Sequence, residues 1–122
     1  MTPLFEIALK VRENASAANT KVGCVIQDEN GNLWTGCNVA HWFHTQTLHS
    51  EVNAIGSMIA GGGKQAVKVV IVSDREYFTP CGACRDMLMQ YGGKYCVIES
   101  YKLNGEIVFH GELADLMPHY PH

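Results

Sequence analysis

The apolar residues of this chain follow a helical period in some segments and form short continuous runs in others. Apolar side chains three and four residues apart predict amphipathic helices. This spacing gives two expected buried faces, one made of Leu4, Ile7, Ala8, Val11 and Ala15, and a later one made of Leu48, Val52, Ile55 and Ile59. Thr2-Pro3 is typical of a helix start, and the glycines at 61–63 are typical of a helix end.

Short runs rich in β-branched residues predict the strands. Two of them, Val22–Gln27 and Leu33–Asn38, flank the dipeptide Asn30-Gly31, which between apolar runs is a strong signal for a hairpin turn. The run at 66–73 is almost entirely apolar, and it therefore predicts a buried central strand of the parallel kind.

The C-terminal third of the chain predicts a helix at Cys81–Tyr91, two strands and a last short helix at Glu112–Met117. The strands, Tyr95–Tyr101 and Glu106–Phe109, are separated by too few residues for a parallel crossover, so they must form an antiparallel hairpin. The element order α-ββ-α-β-α-ββ-α then predicts an α/β fold, a three-layer α-β-α sandwich around a mixed five-stranded sheet with an antiparallel last strand. We expect residues 1–122 to form a single domain.

Composition limits the possible partners. Of the 122 residues, 47% are hydrophobic and 17% are charged, and the formal net charge is −3. A weakly acidic chain without a cluster of lysine or arginine argues against nucleic acid as a partner. The N-terminus lacks the features of a signal peptide, and no apolar run reaches the roughly 18 residues of a membrane span. We therefore expect a cytoplasmic protein without membrane contact, and the low content of charged residues favours a homo-oligomer.

Two short motifs contain the residue types that bind metals. An H-x-E motif begins at His49, and a P-C-x-x-C motif ends at Cys84; each opens a predicted helix. Residues two apart in a regular helix point about 200° apart, so His49 and Glu51 can face one site only at a helix start. Cys81 and Cys84 are three residues apart and share a helix face. One imidazole and two thiolates would hold a zinc ion with its fourth position open, as in catalytic zinc sites.

Each motif alone has other interpretations. A C-x-x-C between a strand and a helix is also typical of thiol oxidoreductases, and a zinc site can serve ligand capture or fold stability without catalysis. The carboxylate of Glu51 favours catalysis, because a site without chemistry does not need it. The remaining cysteines, Cys24, Cys37 and Cys96, fall in predicted strands and are expected to be buried.

An aromatic and histidine-rich loop at 40–47 precedes the first motif. Its side chains include His41, Trp42, Phe43 and His44. Two interpretations stay open: the loop packs on the edge of the sheet, or it forms a pocket wall that stacks on a flat ring.

With these residues in view, nearly the whole chain resembles the small, oligomeric cytidine deaminase family, including its blasticidin S deaminase branch. The resemblance rests on the metal motifs and on further segments, which are Val22-Gly23, Gly36-Cys37-Asn38-Val39, the run from Pro80 to Arg85, and the ending from Glu112 to Tyr120. The antiparallel last strand is also similar to this branch.

The resemblance implies hydrolytic deamination of a cytosine-type nucleoside, as in pyrimidine salvage, with Zn2+ as the cofactor. His49, Cys81 and Cys84 would hold the zinc, which activates water, and Glu51 would carry protons between water and ring. The implied substrate-binding residues are Asn38, Ser50, Thr79 and Tyr120, and Arg85 would partly neutralise the zinc thiolates. Members of this family are homotetramers that share their active sites between subunits.

The chain departs from the family pattern at three places. Ala40 and His41 stand where cytidine deaminases carry a glutamate for the ribose 3′-hydroxyl. Thr20 replaces an aromatic residue that usually stacks on the base, and His49 replaces a more usual cysteine. The expected substrate is therefore cytidine, deoxycytidine or a modified analogue such as blasticidin S, and another amino-heterocycle is the alternative.

Overall fold

The predicted strands form one mixed sheet in the computed structural model of the protein, which describes residues 3–17, 19–43 and 46–120. The strands are β1 (Val22–Asp28), β2 (Leu33–Cys37), β3 (Ala66–Ser73), β4 (Val97–Tyr101) and β5 (Ile107–Glu112). Their order across the sheet is β2-β1-β3-β4-β5. β3 pairs antiparallel with β1 and parallel with β4, and β5 pairs antiparallel with β4, as predicted for the last strand.

Helices cover both faces of this sheet. α1 (Pro3–Arg12) packs on one face, where its buried residues Phe5 and Ala8 join three valines of β1 and β3. α2 (Ser50–Ala60) and α3 (Gly82–Tyr91) pack on the other face, and the short α4 (Leu113–Leu116) joins them there. The predicted three-layer α-β-α sandwich is therefore confirmed.

The hydrophobic cores on the two faces of the sheet both depend on β3. Val70 and Val72 face α1, whereas Val69 and Ile71 face α2 and α3, because successive side chains of a strand point to opposite faces. All four side chains are 0% exposed. Burial of each such side chain stabilises the fold by roughly 1.5–3 kcal/mol. The apolar run at 66–73 thus predicted the central strand correctly, although only one of its two neighbours runs parallel to it.

The buried face of α2 differs from the face that apolar spacing predicts. Leu48 lies before the helix, where its backbone pairs with that of Val39 at N···O distances of 2.8 Å, and Ile59 is 44% exposed. The buried residues of the helix are Ser50, Glu51, Ala54, Ile55 and Met58. The spacing of apolar residues does not show that a hydroxyl or a carboxylate is buried. The predicted buried face of α2 was therefore wrong except at Ile55.

Some boundaries of the elements also differ from the predicted ones. β4 begins at Val97 and not at Tyr95, because the chain turns at Gly93 with a φ of 89°, and Tyr95 is 69% exposed. Cys96 therefore precedes the strand, although it is buried as expected. The predicted helix cap, Thr2, lies outside the described residues.

At Gly36 the backbone of β2 lies directly against the start of α2. A Cβ atom at this position would lie 2.4 Å from the carbonyl oxygen of Ser50 and 2.5 Å from the nitrogen of Ala54. Both are main-chain atoms of a helix, so they cannot rotate away. We expect Gly36→Ala to lower the free energy of unfolding, measured by urea denaturation, by about 1–3 kcal/mol through overpacking.

Gly56 provides the matched control, because it lies on the exposed side of α2 and an added Cβ atom would have nothing within 4 Å. Gly56→Ala should raise the free energy of unfolding by about 0.5–1 kcal/mol, since alanine is the better helix former. If Gly36→Ala were as stable as the wild type, the close approach of β2 and α2 would be wrong.

Candidate active site

Three metal-binding side chains meet where two helices begin. His49 is the residue before α2, with extended backbone angles of φ −77° and ψ 153°. Cys81 occupies the same position before α3, and Cys84 lies in the first turn of α3. The ligand atoms of the three residues all lie within 4.8 Å of one another. The prediction that both motifs lie at helix starts is therefore confirmed.

The distances between these atoms fit a zinc ion. Nδ1 of His49 lies 3.2 Å from Sγ of Cys84 and 3.4 Å from Sγ of Cys81. Zinc bonds of about 2.0–2.1 Å to nitrogen and about 2.3 Å to sulfur place two tetrahedral ligands about 3.6 Å apart. Cys84 is buried, whereas His49 and Cys81 are exposed on the side of the cavity. The three residues can therefore hold zinc and leave a fourth position accessible.

The electrostatics of the cluster favour a bound cation. Burial raises the pKa of the Cys84 thiol far above its usual range, and the negative charges of Glu51 and Cys81 raise it further. A thiolate at this position thus needs a positive partner. The third metal-binding side chain, His49, converges on the two cysteines, which a thiol oxidoreductase does not need, so the zinc interpretation of the C-x-x-C motif is favoured.

Glu51 lies in the first turn of α2 and is only 2% exposed. Its carboxylate oxygen Oε1 accepts a hydrogen bond from the hydroxyl of Ser50, which is also buried. The carboxylate influences the pKa of Cys84 and therefore stands close to the metal-binding cluster. A buried carboxylate next to an open metal position has the placement that a general acid/base needs.

One cavity of about 370 Å³ connects these groups. Its walls include six residues that the sequence singled out, which are Asn38, His49, Ser50, Glu51, Thr79 and Cys81. The volume falls within the range of about 300–1,000 Å³ typical of small-molecule sites. The cavity therefore has room for a small organic substrate beside the metal-binding cluster.

The side chain of Asn38 supports the backbone next to the cavity. Its Nδ2 donates a hydrogen bond of 2.7 Å to the carbonyl of Thr20, and its Oδ1 accepts one of 2.8 Å from the N–H of Val22. Both bonds hold the segment that leads into β1. The sequence did not predict this bracing role, because it depends on two backbone groups some sixteen to eighteen positions earlier.

Arg85 forms hydrogen bonds to three oxygen atoms, and its expected effect on the charge of the thiolates stays a prediction. Its Nε donates to the carbonyl of Pro80 at 2.7 Å, its Nη2 to Oγ1 of Thr79 at 2.8 Å, and its Nη1 to the carbonyl of Leu116 at 2.9 Å. These bonds go to oxygen atoms and not to the thiolates. They connect the turn before Cys81 to the C-terminal segment, so Arg85 supports the zinc-binding turn mechanically.

Tyr120 is not among the described residues that line the cavity. Its hydroxyl donates to Oδ1 of Asp86 at 2.5 Å, which raises the pKa of Tyr120, and its ring packs against the core on the α3 side. A direct contact with the substrate from the same chain is thus not supported by this geometry.

The sequence missed three residues of the cavity wall, Arg75, Tyr77 and Phe78, which follow β3. Thr20, at the position where the resemblance expects a base-stacking aromatic residue, also lines the cavity. A signal was present, because ligands bind beyond the carboxyl ends of parallel strands, and the segment after 73 leaves such an end. In the loop at 40–47, Trp42 is 91% exposed. His44 lies outside the described residues.

Comparison with known proteins gives consistent matches. The cytidine deaminase of Sporosarcina psychrophila is 28% identical over 101 residues, which are 80% of this chain and 74% of the relative. That of Mycobacterium tuberculosis (strain H37Rv) is 29% identical over 79 residues, 64% of this chain and 59% of the relative.

Solved structures of cytidine deaminases superpose on this chain over almost its full length. A cytidine deaminase from Burkholderia pseudomallei superposes with a TM-score of 0.91 at 27% identity and covers 99% of this chain and 100% of its own. A cytidine deaminase from Mycobacterium tuberculosis superposes with a TM-score of 0.84 at 25% identity, and the match covers 98% of this chain and 94% of the other. The model of the "Cytidine and deoxycytidylate deaminase zinc-binding region" matches residues 2–100. The match covers both metal motifs and the first three strands of the sheet, and the chain belongs to this deaminase family.

Proposed function

We propose that this protein is a zinc-dependent aminohydrolase that converts a cytosine-type nucleoside into its uracil form and releases ammonia. The observation that carries the proposal is the convergence of His49, Cys81 and Cys84 beside the buried carboxylate of Glu51. The named relatives are cytidine deaminases, which favours cytidine or deoxycytidine, or a modified analogue, over another amino-heterocycle.

The chemistry divides between the metal and the protein. Zinc held by His49, Cys81 and Cys84 would supply a Lewis acid that makes water acidic near neutral pH. Glu51 accepts a proton from the attacking water while the water oxygen bonds to the ring carbon that carries the amino group. The carboxyl group passes this proton to the adjacent ring nitrogen. It then takes the remaining proton of the attacking oxygen and gives it to the departing amine, so that it ends ionised, as it began.

Residues at the two helix starts orient the ring in this proposal. Ser50 and Thr79 line the cavity, and in this proposal the backbone N–H of the first and the carbonyl of the second recognise polar atoms on the ring edge. Arg85 fixes the position of Thr79 through the bond to its hydroxyl. Asn38 lies on the cavity wall as well, and in this proposal its amide, which also braces Thr20 and Val22, contacts the sugar.

A binding module without catalysis is the competing function. It would need the metal-binding residues but not a buried carboxylate beside them. Burial of an ionisable group costs free energy unless the group is used or paired, and Glu51 is 2% exposed and accepts a hydrogen bond from the neutral hydroxyl of Ser50. This cost favours the enzyme.

We further propose that the chain, as a single domain, works as a cytoplasmic homotetramer in pyrimidine salvage. Several large apolar side chains are exposed on the isolated subunit, among them Trp42 at 91%, Phe43 at 75% and Tyr77 at 65%. Such side chains are typical of interfaces, and Tyr77 also lines the cavity. No helix within the described ranges is long and apolar enough to cross a membrane.

The role of Glu51 is tested by Glu51→Gln, which keeps the shape of the side chain but cannot accept a proton. We expect a loss of roughly 10²–10⁴-fold in kcat for cytidine, with the zinc content unchanged. Ammonia release and metal analysis would be measured together. Glu6→Gln, on the exposed surface of α1, is the control and should behave as wild type. Near-normal turnover by Glu51→Gln would exclude Glu51 as the acid/base.

Zinc binding is tested by Cys84→Ser. The wild type should contain about one zinc per chain, and the variant should lose most of it together with activity, because serine is a poor zinc ligand. Cys37→Ser is the matched control, since Cys37 is a half-buried free cysteine outside the cluster. A wild-type protein without zinc that still deaminates cytidine would contradict the proposal.

The role of Arg85 is tested by comparing Arg85→Lys with Arg85→Gln. If the guanidinium acts through its three bonds to Thr79, Pro80 and Leu116, both variants should lose roughly tenfold or more in kcat/KM, since each hydrogen bond to a charged donor contributes about 1.5–3 kcal/mol. If Arg85 acts instead through the effect of its positive charge on the thiolates, Arg85→Lys should keep most of the activity and Arg85→Gln should lose it.

A further inference from the structure

A second groove of about 750 Å³ adjoins the active-site cavity. The two share a wall made of Thr20 and Asn38. The groove continues along residues 15–17 and 19–21 on one side and is bordered by Ala40, His41 and Trp42 on the other. A substrate whose ring lies beside Glu51 can therefore extend past the shared wall into the groove.

Two cationic side chains stand around this shared wall. Arg75 lines the cavity, and its Nε donates a hydrogen bond of 3.1 Å to Oγ1 of Thr20. Lys21, the next residue after Thr20, lines the groove. The guanidinium of Arg75 is thus held at the passage between the two spaces.

The charge of Arg75 is not neutralised by its sequence neighbours. Asp74 pairs with Arg12 at 3.2 Å, and Glu76 pairs with Lys102 at 2.9 Å. Neither Arg75 nor Lys21 forms an ion pair with any residue in the part of the chain that the structure describes. Two positive charges therefore remain available at the passage.

Acidic groups are almost missing from these walls, although the chain as a whole carries a net charge of −3. Among the described residues that line the cavity and the groove, Glu51 is the only carboxylate, and it belongs to the reaction centre. His41 adds a further group that is cationic when protonated. Such a sign imbalance in a concave, partly enclosed space attracts anions.

We propose that the groove is a subsite for an anionic substituent on the sugar side of the substrate, a phosphate or a carboxylate bound by Arg75 and Lys21. The proposal rests on the proposed deamination of a cytosine-type ring at Glu51. A guanidinium recognises either anion through paired hydrogen bonds, and a lysine contributes a point charge. The subsite makes a charged cytosine nucleoside derivative a better substrate than cytidine itself.

The test compares three ligands that differ in one substituent, cytidine, cytidine 5′-monophosphate and cytidine 5′-carboxylic acid. Ammonia release gives kcat/KM for the zinc-loaded wild type and for Arg75→Gln, Lys21→Gln and the double variant. Lys10→Gln removes a charge from the exposed side of α1 and serves as control. In parallel, calorimetry measures the dissociation constant of each ligand on zinc-loaded Glu51→Gln protein with and without the same substitutions.

We expect the wild type to prefer an anionic ligand over cytidine by roughly tenfold in kcat/KM, as for a partly exposed charged hydrogen bond. Each single variant should reduce this preference, and the double variant should abolish it. The preference is the ratio of kcat/KM for the anion to kcat/KM for cytidine in the same variant, so a general loss of activity leaves this ratio unchanged. The more strongly preferred anion identifies the natural substituent.

Other results would overturn the subsite. If cytidine is turned over at least as efficiently as both anions, or if the variants weaken all three ligands equally, the subsite is wrong and the deaminase function stands. If the wild type deaminates none of them, the proposed function is wrong. The calorimetric comparison then decides the subsite alone: tighter binding of an anion supports it, and equal or undetectable binding refutes it.

Discussion

The start of α2 is held against the sheet at a distance that only glycine permits, and the active site depends on this contact. Because Gly36 has no side chain, main-chain atoms of α2 can lie next to β2. The first turn of the helix is therefore buried, and Glu51 with it. His49, one residue before that turn, is directed towards the start of α3 and its two cysteines. Packing at the edge of the sheet thus fixes the relative position of acid/base and metal ligands.

The same contact creates an electrostatic cost that the metal offsets. Glu51 and Cys84 are both buried, and the negative charge of the first opposes ionisation of the second. A divalent cation held by His49, Cys81 and Cys84 would reverse this relation, because it would stabilise the thiolate and the nearby carboxylate together. Metal binding and the stability of the folded cluster are consequently coupled. The protons that the ligands release on binding make this coupling dependent on pH.

Much of this arrangement follows from local sequence patterns. The central strand at 66–73, the turn at Gly31 and the placement of His49 and Cys81 at helix starts all depend on neighbouring residues, and the structure confirms them. The predicted buried face of α2 was wrong, because the spacing of apolar residues does not show that the polar neighbours Ser50 and Glu51 are buried and bonded to each other. The contact of Arg85 with Leu116 could not be foreseen for a different reason, because the two residues are thirty-one positions apart.

Two hydrogen bonds fasten the C-terminal segment to α3, one from Arg85 to Leu116 and one from Tyr120 to Asp86. The described part of the chain therefore ends beside the helix that carries the metal-binding cysteines. α1 lies on the opposite face of the sheet. An affinity tag or a fused protein is therefore better attached ahead of α1, where the whole thickness of the sheet separates it from the reaction centre.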